Sequence, residues 1–77
     1  MEDSGIFKHI EKLVAEEEDL YAKGDLTDAE IKHLHKIKTE LDQYWDLFRQ
    51  RRAFRNAGID PENAELRSEK TVKNYKQ

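Results

Sequence analysis

The chain has 77 residues, of which 40% are charged and 36% hydrophobic, with one proline, three glycines and no cysteine. One small domain at most can form, disulfides and thiolate metal sites are excluded, and stability must come from regular helix packing or from oligomerisation. The net charge of -3 conceals a polarity: residues 1–30 hold ten acidic and three basic side chains, residues 31–77 seven acidic and eleven basic. On solvated helices such an asymmetry serves solubility; it can also direct self-association or partner choice.

The N-terminus, Met1-Glu2-Asp3-Ser4-Gly5, is acidic and is not followed by an apolar segment, which argues against a signal peptide. No apolar run approaches the roughly 20 residues of a membrane span, and the absence of cysteine fits a reducing compartment, so a cytoplasmic location is expected. Ser4 is the expected cap of the first helix. Ile6, Phe7, Ile10, Leu13, Val14, Leu20 and Tyr21 then form one broad helical stripe. Gly24 supplies the left-handed residue that ends it.

The next segment, Leu26-Thr27-Asp28-Ala29-Glu30-Ile31, predicts a helix start. Thr27 and Glu30 make a capping box, and Leu26 and Ile31 a hydrophobic staple. The second helix runs without glycine or proline to Gly58, with Ile31, Leu34, Ile37, Leu41, Tyr44, Trp45 and Phe48 as its stripe. The short linker makes the helices antiparallel neighbours. Pairing outward from the turn sets Leu20 near Ile31, Leu13 near Lys38, Ile10 near Leu41 and Ile6 near Trp45. The second helix then overhangs the first by about three turns. Asp60-Pro61-Glu62 reads as a turn or a fresh cap with proline at the first helical position. The tail from Ser68 is polar apart from Val72 and Tyr75, and either docks on the overhang or is disordered.

These readings predict an all-α protein. A coiled-coil-like antiparallel hairpin covers residues 1–57, with helices at about 5–23 and 28–57, and a turn and C-terminal tail cover 58–77. A lone hairpin leaves the outer edges of Phe7, Val14, Tyr21, Tyr44 and Phe54 poorly covered, so dimerisation into a four-helix bundle is expected. Charge placement suggests an antiparallel dimer, with residues 16–19 of each copy against the basic tip of the other.

Little in the chain resembles catalytic machinery. Glu17 projects from the centre of the first stripe, with Lys38 at matching depth, as a register-fixing pair or as a functional carboxylate. His33 and His35 point to opposite sides of one helix and His9 comes from the other, which makes a poor metal site. No nucleophile–base pair and no glycine-rich phosphate loop is visible. No cofactor, metal or catalytic residue is therefore expected, and the chain reads as a non-enzyme.

The unusual stretch is the overhang. Arg49, Arg51, Arg52 and Arg55 interleave with Trp45, Phe48 and Phe54. By spacing, Arg52 and Arg55 continue the apolar stripe, and Leu47 and Phe54 open a second apolar edge beside it. The arginines either pair with carboxylates of the tail or another subunit, or form a binding tip. Arginine and aromatic side chains are enriched at interface hot spots, so these seven residues are the candidate interaction site. The expected role is a protein-interaction or self-assembly module. The alternative is a small nucleic-acid-associated protein using the basic tip, against which stand the acidic chain and the shortness of the patch.

Residues 41–53, Leu-Asp-Gln-Tyr-Trp-Asp-Leu-Phe-Arg-Gln-Arg-Arg-Ala, followed by Ala57-Gly58-Ile59-Asp60-Pro61 and the ending from Val72 to Gln77, resemble a family of short, uncharacterised, mainly actinobacterial proteins catalogued only as a domain of unknown function. The resemblance spans nearly the whole chain and is most specific over residues 41–61. It implies a stand-alone small protein and no known activity, cofactor or catalytic residue.

Overall fold

The computed structural model describes residues 2–70 and 72. Met1, Thr71 and residues 73–77, and with them Tyr75 and most of the family-like ending, lie outside the described residues. Two helices, α1 (Asp3–Lys23) and α2 (Asp28–Asn56), pack against each other, followed by a 3-10 turn at Pro61–Asn63. No strand occurs among the described residues. This is the all-α antiparallel hairpin with a longer second helix that the hydrophobic periodicity predicts.

Helix ends follow local chemistry at three of four positions. Gly24 closes α1 at φ 87°, and its amide donates to the Tyr21 carbonyl. The Thr27 hydroxyl accepts from the Glu30 amide while the Glu30 carboxylate accepts from the Thr27 amide, completing the capping box. Lys23 also pairs with Glu30, clamping the two sides of the turn. At the end of α2, Gly58 adopts φ 76°, the Ile59 amide donates to the Phe54 carbonyl and the Gly58 amide to the Arg55 carbonyl. This is the Schellman pattern, which satisfies two carbonyls of the last turn.

The exception is the start of α1. Ser4 lies exposed inside the first turn, and Glu2 takes the capping position without a side-chain hydrogen bond. Asp3 at the helix start suits the positive end of the dipole. Its carboxylate is committed to Arg51 and Arg55, so a tertiary ion pair fixes this end where a hydroxyl cap is expected.

The pairing register differs from the one counted outward from the turn. Phe7 meets both Trp45 and Phe48, with ring centroids 6.4 Å and 4.8 Å away. His9 stacks on Tyr44, and Asp3 reaches Arg51. These contacts lie one to four residues further along α2 than the count outward from the turn places them. Only residues 52–56 run past the Asp3–Arg51 level, so the overhang is about one and a half turns.

The seam of α2 consists of two heptad rows, Ile37-Tyr44-Arg51 and Leu34-Leu41-Phe48-Arg55. Arg51, and not Arg52, continues the first row. Trp45 stands beside the seam and is 38% exposed. The core holds Ile6, Ile10 and Leu47, with Val14, Leu41, Tyr44, Phe48 and Ala64 packed around it. Leu47, read as an outer edge, is buried because the C-terminal segment folds back over it. Glu17 does not hold Lys38 in a salt bridge. The Lys38 ammonium lies over the Tyr21 ring, 5.6 Å from its centroid, and the hydrogen bond with Tyr21, aided by Glu17, holds its pKa above the ordinary lysine value.

Candidate functional site

At the open end of the hairpin, α1 presents Asp3 to the two arginines one helical turn apart on α2. Arg51 Nε donates to Asp3 Oδ1 at 2.8 Å, and Arg55 Nη2 lies 2.7 Å from Asp3 Oδ2. The same Arg51 guanidinium donates through Nη1 to the Pro61 carbonyl at 3.3 Å and to Glu62 Oε1 at 3.2 Å. Asp60 caps the 3-10 turn by accepting from the Glu62 amide, which sets Pro61 and Glu62 in place. Arg55 and then Arg51 hold the Asp3 carboxyl below the usual carboxylate range. Asp3, opposed by burial and aided by Glu62, holds Arg51 further in its charged form. The Arg51 side chain is 7% exposed.

A second polar cluster lies on the side of α2 away from α1. Asp46 is 3% exposed, and Arg67 grips it with Nε at 2.8 Å from Oδ2 and Nη2 at 2.5 Å from Oδ1. Gln50 adds a third bond to Asp46 Oδ2 at 2.9 Å. Burial works against the Asp46 charge, but the Arg67 fork and the Gln50 amide more than offset it and keep the carboxyl below its usual range. Gln50 also pairs with the Glu65 backbone in both senses, donating to its carbonyl at 2.7 Å and accepting from its amide at 3.3 Å. Gln43 donates to the Arg67 carbonyl. The extended run 64–68 is therefore strapped along α2 by side-chain amides acting as a neighbouring strand would, and Val72 beyond it is buried. Among the described residues, no buried side-chain nitrogen or oxygen lacks a hydrogen-bond partner.

The third feature is aromatic. Phe7, Trp45 and Phe48 touch one another at the surface, with Trp45 edge-on to both phenylalanines. Phe7 and Trp45 are 39% and 38% exposed. Arg49 and Arg52, one and two helical turns beyond Trp45, are exposed on the same side of α2.

The seven candidate interaction residues are thus divided. Trp45 and Phe48, with Arg49 and Arg52 beside them, share the aromatic side. Arg51 and Arg55 are turned inward onto Asp3. Phe54, half-buried, lies on the strap side and lines a cleft of about 630 Å³ with Asp46, Arg49, Gln50, Ala53, Arg67 and Val72. Sequence reasoning passed over Asp3, Asp46, Glu62, Arg67 and Phe7 as members of these clusters. Phe7 was legible as a stripe residue, and Arg51 as a seam position by its spacing of seven from Tyr44 and fourteen from Ile37. Nothing local marks Asp46 and Arg67 as partners. His33 lies 3.8 Å from Glu16, and no group of three metal-binding side chains forms among the described residues. No helix there is long and apolar enough to cross a membrane.

Residues 2–77 match the model of a family described as a protein of unknown function, DUF2630, and the chain belongs to that family. It is 46% identical over 77 residues to an uncharacterized protein of Mycobacterium tuberculosis, Rv0898c, in an alignment covering 95% of this chain and 88% of the relative. The same figures hold for an uncharacterized protein of Mycobacterium bovis, Mb0922c. No solved structure matches the chain. These are the actinobacterial relatives of unknown function that the stretch 41–61 resembles.

Proposed function

We propose that this chain is a small, non-enzymatic, cytoplasmic helical module that acts through protein contacts, and that its contact surface is centred on Phe7, Trp45 and Phe48 with Arg49 and Arg52 at the edge. The observation that carries the reading is the aromatic trio itself. Three rings are in mutual contact across the two helices, Phe7 and Trp45 exposed and Phe48 half-buried against the core beneath them, with two exposed arginines alongside. Such side chains give large contact area at low entropic cost and dominate interface hot spots.

The convergent charged groups favour this reading over catalysis. Asp3, Arg51, Arg55 and Glu62 are bonded to one another, as are Asp46, Gln50 and Arg67. An active site instead keeps a base or nucleophile facing a position that a substrate can fill. Nucleic-acid binding has less support for a related reason. Two of the four tip arginines are already held by Asp3, which halves the charge available to neutralise phosphates.

Photo-crosslinking in cells tests the proposal. A benzophenone side chain placed at Phe7 or Trp45 is expected to give covalent protein adducts, and one at Lys12 or Glu65, outside the trio, is not. Adducts from neither face position, or equal yields from all four, would refute it.

A further inference from the structure

We infer that the partner of the aromatic face is a second copy of this chain, docked face to face and antiparallel, so that the arginine end of each hairpin lies beside the acidic turn of the other. The inference rests on the reading above that this face is a contact surface, and it names the occupant.

The first argument is architectural. Helical domains bury their apolar stripes between two layers. This molecule measures 48 × 26 × 15 Å, and its least extent is little more than one helix diameter. Its Cα radius of gyration is 14.4 Å, against about 11.5 Å for a compact chain of this length. The strap covers one broad side at the open end. Further along, that same side mixes the polar His9, Lys12, Glu16 and Glu40 with Tyr44 and Leu66. Among the described residues the other broad side has no second layer. By 100° per residue, Phe7 and Tyr21 on α1 and Trp45 on α2 point toward it and are exposed, with the half-buried Val14, Leu34 and Leu41 of the seam at its margin. A second copy brings an identical layer with the same uncovered stripe, which is the requirement of an isologous two-fold contact.

Area and charge narrow the arrangement. A strip as long as α1 and two helices wide offers about 600 Å² per copy, or about 1,200 Å² in total. This is the lower edge of stable, specific interfaces, so a dissociation constant on the order of micromolar is expected. Asp19, Asp25 and Asp28 are exposed at the turn end, and Arg49 and Arg52 at the other. A dimer with both turns at one end sets like charges together at each end. The antiparallel dimer sets unlike charges together.

Sedimentation velocity on the full chain, from about 1 to 100 µM, tests each element. A monomer–dimer equilibrium is expected. Trp45→Glu should weaken it by about 30-fold or more, the loss typical of a central aromatic anchor, with the helical circular dichroism unchanged. Arg49→Glu/Arg52→Glu should also weaken it, and adding Asp19→Lys/Asp25→Lys in the same chain should restore part of the loss, because the turn facing the reversed tip is then less negative by four charges. A strict monomer throughout would overturn the inference. If face positions meanwhile crosslink to a different protein in cells, the contact-surface reading survives and only the identity of the partner fails. A dimer indifferent to Trp45→Glu would overturn the choice of face. A dimer indifferent to the arginine reversal, or not restored even in part by the compensating one, would overturn the antiparallel arrangement.

Discussion

Replacing Arg67 by alanine tests whether charge or mere contact holds the C-terminal strap. Asp46 is 3% exposed, while the Arg67 side chain is 26% exposed. In Arg67→Ala the carboxylate stays buried with the Gln50 amide as its remaining mapped partner. In Asp46→Asn the guanidinium can turn to water and the amide can still accept a hydrogen bond. Leaving a buried charge without its partner is worth about 3–5 kcal/mol. The Gln50 bond and water entering the vacated space reduce this to about 2–3 kcal/mol at neutral pH. Asp46→Asn should lose only about 1 kcal/mol. At this chain length the two losses correspond to melting shifts of about 10–20 °C and about 5 °C.

The pH dependence separates charge from packing. In the native chain the folded pKa of Asp46 is lowered, so its stabilisation is present above the unfolded value of about 3.9 and is lost as pH falls through the folded value. Without Arg67, burial is no longer outweighed and the folded pKa rises. The ionised carboxylate then destabilises the fold as pH climbs from about 3.9 through that raised value. Urea denaturation followed by circular dichroism should therefore give a gap between native and Arg67→Ala proteins that is small near pH 3 and complete by about pH 7. A gap of constant size across that range would refute the electrostatic argument and assign the loss to packing. The double variant Asp46→Leu/Arg67→Met should recover most of the stability at neutral pH, since it leaves no unpaired charge.

Three further outcomes follow from single contacts. Thr27→Ala removes the hydroxyl half of the capping box and should lose about 1 kcal/mol, read as a lower urea midpoint with an unchanged slope. Arg51→Lys should lose about 1–2 kcal/mol despite keeping the charge, because one ammonium cannot bond Asp3, Pro61 and Glu62 together as the guanidinium does; a variant as stable as the parent would show that charge alone suffices. Gly24→Ala meets open space at φ 87° and ψ -95°, so its loss of about 2–3 kcal/mol should come from backbone strain alone and should not alter the hairpin in an NMR chemical-shift comparison.

The helices, three of their four ends and their apolar rows were legible in the sequence. Thr27 and Glu30, Gly24, and Gly58 with Ile59 act through backbone hydrogen bonds between residues a few positions apart, so their effect is local and readable. The arginine–aromatic segment was equally visible. Its division into arginines bonded to Asp3 and arginines exposed beside Trp45 was not. Arg51 is chosen over Arg52 by Asp3, 48 residues away, and the strap is fixed by Arg67 reaching Asp46 across 21 residues. Tertiary structure also decided the register. The His9–Tyr44, Asp3–Arg51 and Phe7–Phe48 contacts lie two to four residues beyond the value counted outward from the turn, since a stripe of similar apolar side chains tolerates several alignments until ion pairs and aromatic contacts favour one. The face left open by that choice, Phe7 with Trp45 and Phe48, is set by which side of the hairpin the strap covers.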